Sequence, residues 1–439
     1  MRIVFCLNYF LPYQVAGTEI YTHQLAKQLK AKGCDVAVVF PNREKPYEHY
    51  EVEGIPVYAY AEPDYNDRAL IKGHRKPKGL PDFVALIQKL NPDLIHFQEL
   101  EAGTSIGWFH VRAVKDLGYK CLMTFHLSHY NCFTGTMMYT MNEPCDGVIH
   151  PSKCTYCSLR SRGVGKVPAS LLNSAAFIMK KARVDTGPLN SSIGTGLGMH
   201  FMFEQKKSQL IELSAQMEIL VVLTDWYKKV LMDNGIPCSK IIVIKQGLPH
   251  PSIPQSLPFK KPDSPLRLIF IGRISQIKGL HLLLRAMKEI PGEKIQLDIY
   301  GQGYNDDYEK ACKDQIKSNK NIRWMGKIEP GSVLITMQNY HALCLPSTFS
   351  EMSPLVIQEA FAAGIPVIAS AVPGNAEQVR HNVNGLLFTF NDAASLHQQL
   401  MRCINETALL GHLSMNLPHP RSFEEVAAAY YQLYQKVLL

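Results

Sequence analysis

At 439 residues the chain is about three times the ~150 residues usual for one domain, long enough for two large α/β domains. Hydrophobic residues at 46% and charged residues at 19% exclude disordered, collagen-like and low-complexity classes. The net charge of +8, from 46 Lys and Arg against 38 Asp and Glu, suits anionic partners such as nucleotide phosphates or acidic lipid without selecting among them.

The first residues, MRIVFCLNYFLPYQ, carry an apolar run cut by Asn8 and Pro12, too short for a secretory h-region. A cytoplasmic chain is expected. No apolar run reaches the ~18 residues that cross a bilayer, so the membrane contact left open is peripheral. Eleven cysteines, with Cys6, Cys121 and Cys344 inside apolar strand-like runs, argue against a disulfide framework.

IVFCLNYF reads as a buried strand, followed by a loop at Ala16 and Gly17 and a helix over TEIYTHQLAKQLKAKG that ends at Gly33. The alternation continues with strand DVAVVF, strand-like HYEVEGIPVYAY, a Pro/Lys-rich joint at Lys72 to Pro81, helix PDFVALIQKL, strand DLIHFQ, helix SIGWFHVRAVKDLG and strand KCLMTFH. After the polar, Pro-rich stretch from Pro249 to Pro265 the theme repeats. Strand LRLIFIGRI, helix GLHLLLRAMKEI, strand IQLDIYGQG, strand NIRWMG, strand ALCLPS, helix SPLVIQEAFAAG and strand PVIAS follow in order. Strand and helix taking turns predict an α/β fold of two doubly wound Rossmann-like domains. Their expected bounds are 1–250, a linker at 251–265, and 266–418. A last helix at 419–439 could pack on either domain, the first included. Residues 130–166 fit neither repeat and are expected to be an insertion. Open sheets of this type bind ligands outside the carboxyl ends of their strands, so two such domains predict a cleft lined by those ends.

The densest chemical signal is STFSEMSPLVIQEAFAAGIPVIAS. Glu351 and Glu359 are eight residues apart, and the Ser353–Pro354 pair opens a helix after a strand. Backbone N–H groups of Met352 to Leu355 would then face an anion, and Glu359, a turn inside, could accept both hydroxyls of a ribose. Taken alone, the pair also reads as two solvated helix carboxylates. Arg273 and Lys278 stand five apart in IGRISQIKG, where two fixed cations could neutralise a departing diphosphate.

These segments resemble the glutamate pair and the Arg/Lys loop of the retaining GT-B glycosyltransferases of the group 1, family 4 type. QVAGTEIYTHQLA resembles the family's Gly-Gly loop, with Ala16 at the first glycine and Gly17 retained. TFHLSHY resembles its strand ending in a histidine, here His126. YGQG ending at Gly303, the strand-end Gly272 and PGNAEQVRHNVNGLLF, with Asn375 where glycine is common, extend the resemblance over the chain outside the insertion.

The resemblance implies a GT-B fold and transfer of a sugar, with retention, from a nucleotide-diphosphate-sugar donor to a glycan or lipid-linked acceptor, without an obligate metal. It implies Glu351 at the donor sugar, Glu359 at the ribose, Arg273 and Lys278 at the diphosphate and His126 at the sugar. The pathway class it implies is surface polysaccharide, lipopolysaccharide or glycolipid synthesis. A phosphorylase or epimerase on the same fold, and a non-catalytic nucleotide-sugar-binding or partner-binding protein, are the alternatives. The intact Arg273, Lys278, Glu351 and Glu359 argue against decay.

Within the insertion Cys132, Cys145, Cys154 and Cys157 span 26 residues. They can offer thiolates to a structural zinc, remain reduced thiols or pair in a disulfide. Comparable cysteine-bearing loops in the family favour the metal. From Pro151 to Val184 there are seven basic residues and no acidic one. Interspersed with VPASLLNSAAFIM, they suit an anionic membrane surface, a grip on a phosphorylated lipid carrier, or a plain solvated helix. That stretch lacks aromatics interleaved with its basic residues for stacking bases, having only Tyr156 and Phe177, so nucleic acid is not expected as a partner.

Overall fold

The computed structural model describes residues 1–43, 47–63, 70, 75–101, 104–186, 191–249, 265–304, 306–317 and 319–439. Residues 251–264 of the expected linker, and part of the Lys72–Pro81 joint, lie outside the described residues. Two compact units are formed. The first contains Met1–Met141, Cys145–Lys245 and Phe423–Leu439, and the second Asn142–Pro144 and Gln246–Ser422.

In the first unit β1 (Arg2–Cys6), β2 (Asp35–Asn42), β3 (Tyr47–Val52), β4 (Ile55–Ala61), β5 (Leu94–Gln98), β6 (Lys120–Phe125), β9 (Ile219–Val222) and β10 (Ile241–Val243) make one sheet. Its order is β10-β9-β6-β5-β1-β2-β4-β3. All pairs are parallel except the edge pair β3–β4. Where the sequence reads as one strand-like run, HYEVEGIPVYAY is a hairpin. Glu53 and Gly54 both have positive φ, 47° and 77°, the left-handed pair that a tight hairpin turn needs.

The sheet is covered on one side by α1 (Gly17–Ala31). Tyr21, Leu25 and Leu29 of that helix pack onto Ile3, Phe5, Val36 and Val38. Burying side chains of this size contributes about 1.5–3 kcal/mol each. Helices α2 (Leu80–Leu90) and α3 (Trp108–Asp116) cover other strands. Short strands β7 (Met138–Tyr139) and β8 (Glu143–Pro144) follow β6. Then α4 (Pro151–Ser161), α5 (Lys166–Lys181), α6 (Ser192–Leu197) and α7 (Met199–Gln216) precede β9, and α8 (Asp225–Asp233) joins β9 to β10.

The insertion therefore holds a helix that its composition hid. Only Thr155, Ser158 and Leu159 of α4 are buried, too few apolar positions to show a period. Pro151 at its first turn and the His150 ring accepting the Lys153 N–H set its start.

The second unit holds β11 (Leu266–Ile271), β12 (Ile295–Tyr300), β13 (Ile322–Gly326), β14 (Ala342–Leu345), β15 (Val367–Ser370) and β16 (Gly385–Phe388). They form an all-parallel sheet ordered β13-β12-β11-β14-β15-β16, a doubly wound arrangement whose strand order reverses between β11 and β14. Alternate residues feed two cores, Leu268 and Phe270 one and Ile269 the other, the two-residue period of a sheet buried on both faces.

Helices α9 (Leu280–Met287), α10 (Asp307–Ile316), α11 (Val333–Met337), α12 (Leu355–Ala362), α13 (Pro373–Ala376), α14 (Ala393–Asn405) and α15 (Leu409–Ser414) connect these strands. Leu280, Leu283, Leu284 and Met287 put one stripe of α9 into the core.

The last helix, α16 (Phe423–Leu438), belongs to the first unit and lies on α1. Its Val426, Tyr430, Leu433 and Tyr434 enter the core there, and the Tyr430 and Tyr21 hydroxyls meet at 3.1 Å.

Candidate functional site

In the second unit the strand order reverses between β11 and β14, so the loops leaving their carboxyl ends open a crevice at that point. Lys278 sits in the first loop and Glu351 in the second. Their approach depends on Gly279, which has φ +72° and whose missing Cβ leaves room for the Pro346 carbonyl oxygen. The Thr348 N–H donates to Ile277 O at 2.8 Å, and its hydroxyl to Gln276 O at 3.0 Å, stitching the two loops.

Lys278 Nζ is thereby held 2.7 Å from Glu351 Oε1, with side-chain exposures of 25% and 7%. The same oxygen accepts the Ser347 hydroxyl at 2.7 Å, and Lys278 Nζ stands 4.9 Å over the Phe349 ring.

A chain of hydrogen bonds backs Glu351. Ser370 Oγ donates to Ser347 O at 2.7 Å. Fully buried Asn375 donates from Nδ2 to Ser370 O and Oγ at 3.1 and 3.2 Å. Gly374, in the short α13, lies so close to the Glu351 carbonyl that a Cβ there would collide with it. Asn375, found where the resembled family commonly has glycine, thus supports the strand end that carries Ser347.

Arg273 is exposed in the loop after β11, its guanidinium carbon 5.9 Å from the centre of the Tyr304 ring. Gly272 bonds to Tyr300 O and Ile274 to Gln302 O, tying this loop to the turn after β12 that carries Gly303. Glu359 is half-buried on α12, and burial pushes its carboxyl up to about 7, which poises it to ionise when a ligand supplies hydrogen-bond donors.

The expected run of N–H donors from Met352 to Leu355 is broken. Pro354 has no N–H and caps the helix, which begins at Leu355, while Met352 and Ser353 lie in the loop before it. Ile357 N–H already bonds Pro354 O at 3.2 Å. The first-turn donors therefore belong to Leu355 and Val356.

Gly17 and His126 belong to the first unit. Gly17 opens α1, with nothing within 4 Å of a Cβ built on it. His126 follows β6 and is buried. Gln98 Oε1 accepts from its Nε2 at 2.7 Å, and its ring lies edge-on to Tyr21 with centroids 4.8 Å apart. Burial drives its pKa down to about 3, so it is a neutral hydrogen-bonding group at physiological pH.

Beside it stands Glu99, a residue the sequence reading passed over. It directly follows β5 with φ +71°, an uncommon conformation for a non-glycine residue. Its Oε2 accepts the N–H groups of His126 and Leu127, both at 2.8 Å. Burial outweighs those bonds and raises its pKa to about 8. Position at a strand's carboxyl end was the only signal that could have found it.

The four insertion cysteines do come together. Cys132, Cys145, Cys154 and Cys157 line one pocket with Met137, Lys153 and Phe203. The expected zinc ligand set, however, is not formed. Among the described residues no group of three or more His, Cys, Asp or Glu side chains is arranged to hold a metal ion. Each sulfur is instead engaged locally. Cys157 accepts the Thr140 N–H, Cys154 the His150 N–H, Cys132 contacts the Thr134 hydroxyl and Cys145 the Asp146 carboxylate. Burial raises the Cys145 and Cys157 thiols and lifts Cys154 to about 11, which makes them weakly reactive neutral thiols. All eleven cysteines of the chain are unpaired.

Comparison with known families and structures follows the same lines. Residues 15–171 match Glycosyltransferase Family 4, and residues 255–417 match Glycosyl transferases group 1. The amylovoran biosynthesis glycosyltransferase AmsK of Erwinia amylovora is 27% identical over 48% of this chain and 53% of its own length. The putative colanic acid biosynthesis glycosyltransferase WcaL of Escherichia coli K12 is 26% identical over 42% of this chain and 47% of its own. The chain thus spans about half the length of the curated relatives it matches.

Among solved structures, Anabaena Alr3699/HepE in complex with UDP and glucose aligns over 99% of this chain and 100% of its own, with TM-score 0.62 and 14% identity. Sucrose-phosphate synthase of Thermosynechococcus elongatus aligns over 99% and 98%, with TM-score 0.64 and 19% identity. These likenesses show the GT-B fold.

Proposed function

Because residues 255–417 match Glycosyl transferases group 1 and residues 15–171 match Glycosyltransferase Family 4, we propose that the chain is a retaining glycosyltransferase. It moves a sugar from a nucleotide-diphosphate-sugar donor to a glycan or lipid-linked acceptor in surface polysaccharide, lipopolysaccharide or glycolipid synthesis. The observation that carries this reading is the Lys278–Glu351 pair, held at 2.7 Å where the strand order of the second unit reverses.

In this reading Lys278 and Arg273 neutralise the charge that develops on the departing diphosphate. The Gly272 and Gly303 turns bring backbone close to the phosphates. Glu351 receives the donor sugar's hydroxyls, with Lys278 shared between carboxylate and phosphate. Glu359 accepts ribose hydroxyls and ionises as it does so. Leu355 N–H at the start of α12 faces the anionic group, with Met352, Ser353 and Pro354 shaping the loop before it. His126 offers a neutral imidazole to the sugar, and Gly17 begins the helix beside it.

The two cations supply the charge that a bound metal would otherwise provide, so the chemistry is metal-independent. Retention follows from a front-face path in which the diphosphate itself takes the acceptor proton, and positioning does the rest. The protein works in the cytoplasm, at the inner face of a membrane when its acceptor is lipid-linked.

The test is transfer from UDP-, GDP- and ADP-sugars to lipid and oligosaccharide acceptors, with the product anomer read by proton NMR. An α-linked product from an α-linked donor is expected. An inverted product, or turnover near wild type in both Arg273→Ala and Lys278→Ala, overturns the reading.

A further inference from the structure

Helix α5 is built inside out. Its buried positions are the small residues Ala169 and Ala176, seven apart and therefore on one face. They meet α4, α6 and α7. The opposite face carries the large apolar side chains. Val167, Leu171 and Ile178 are 70%, 67% and 63% exposed. With Ser174 they follow a four-three-four spacing that keeps them in one outward stripe along the helix. Phe177 is 46% exposed at its edge.

A surface helix of a soluble domain ordinarily turns such residues inward, so an outward stripe marks something that covers it. Its flanks say what. Lys166 opens the helix and Lys181 closes it, and both are exposed. Lys181 Nζ lies 4.8 Å over the Phe177 ring, which places a cation beside an apolar anchor. Lys180, on the inward side, is instead bonded to Glu204 at 2.6 Å. No acidic residue occurs from Pro151 to Val184 against seven basic ones. A protein groove would need to match both the apolar row and the exposed cations at its two ends. The surface of a bilayer containing anionic lipid presents both as a continuum, hydrocarbon below a layer of negative headgroups. No helix among the described residues is long and apolar enough to cross a membrane, so the contact is one of lying on the surface.

We propose that α5 is a membrane-docking helix, with Val167, Leu171 and Ile178 entering the headgroup boundary of an anionic leaflet and Lys166 and Lys181 on its phosphates. The inference deepens the lipid-linked acceptor of the proposed function. It is tested without donor or acceptor, so the failure of either leaves the other standing.

The full-length protein is sedimented with vesicles of phosphatidylcholine alone and of phosphatidylcholine with ~30% phosphatidylglycerol, at low and at ~0.3 M salt. Binding to the anionic vesicles is expected to exceed that to neutral ones at least tenfold and to fall with salt as headgroup charge is screened. Leu171→Asp/Ile178→Asp should abolish it, with the melting temperature unchanged because both side chains are largely outside the core. Lys166→Glu/Lys181→Glu should weaken it at low salt. Three results would overturn the proposal. They are equal binding to neutral vesicles, no binding by the wild type, and a wild-type dimer split by Leu171→Asp/Ile178→Asp, which would make the stripe an interface between copies of this chain.

Discussion

Replacing Glu351 by Gln separates two effects that most substitutions would blur. Glu351 Oε1 takes hydrogen bonds from Lys278 Nζ and Ser347 Oγ, both at 2.7 Å. The amide keeps the shape and the Ser347 bond but removes the charge that neutralises Lys278. Two unit charges at that distance attract by about 6 kcal/mol at an effective dielectric constant of ~20, from which desolvation of both groups subtracts most. With a quarter of the Lys278 side chain exposed, about 1 kcal/mol of the pairing is expected to remain, equivalent to roughly fivefold in an equilibrium constant. Glu351→Gln should therefore bind a nucleoside diphosphate about fivefold more tightly, because Lys278 is released to the phosphate. It should at the same time lose roughly 30- to 1000-fold in transfer, the ~2–4 kcal/mol typical of removing a group that acts on the transition state. Titration calorimetry with the diphosphate and initial rates with the sugar nucleotide read the two separately. Unchanged or weaker diphosphate binding would show that Glu351 does not hold Lys278 back, and would refute this reasoning.

Other substitutions probe neighbouring parts of the site. Glu359, raised to about 7 by burial, favours the folded state while protonated. Its contribution is present near pH 4.5 and is lost as pH climbs through 7. Glu359→Gln should thus raise the melting temperature at pH 8 but not at pH 5, and flatten a nucleotide affinity that otherwise increases from pH 6 to 8; equal shifts at both pH values would contradict this. Gly279→Ala forces a Cβ toward the Pro346 carbonyl oxygen at a left-handed φ. It should cost ~1–3 kcal/mol of stability and weaken diphosphate binding, and a neutral effect in both melting and calorimetry would show the loop approach to be unimportant. Asn375→Gly should leave diphosphate affinity alone while lowering the affinity for sugar nucleotide, since its bonds support Ser347 rather than Lys278. Cys154, raised to about 11, should alkylate with iodoacetamide at pH 8 far more slowly than exposed Cys238, a difference that peptide mass spectrometry resolves.

The strands were legible because residues 3–6 of β1 and 268–270 of β11 are buried on both faces and so read as unbroken apolar runs. The Glu53–Gly54 turn was hidden because the residues around it continue a two-residue alternation across it. Residue types at Arg273, Lys278, Glu351 and Glu359 pointed to the second unit's crevice, but their local spacing could not say that Lys278 and Glu351, 73 residues apart, touch. That contact depends on Gly279, whose role appears only once two loops are folded together. The support running from Asn375 through Ser370 and Ser347 is equally tertiary, and so is Glu99, whose carboxylate is committed to N–H groups from the next strand's end. The cysteines suggested a metal because spacing reports which sulfurs are near but not where each one points. The sequence of α5 suited a membrane surface and a solvated helix equally, because a helical period gives a face, not the side of the protein on which that face lies.

The most direct test of the central claim, a donor site built on Lys278 and Glu351, is a thermal-shift series with UDP, GDP, ADP and their common sugars against wild type and Lys278→Ala. A ligand at 100 times its Kd adds about 2.7 kcal/mol to stability. The account predicts a clear shift of the wild type with one nucleotide, and loss of that shift in Lys278→Ala. A shift that survives in Lys278→Ala, or none with any nucleotide, would contradict it.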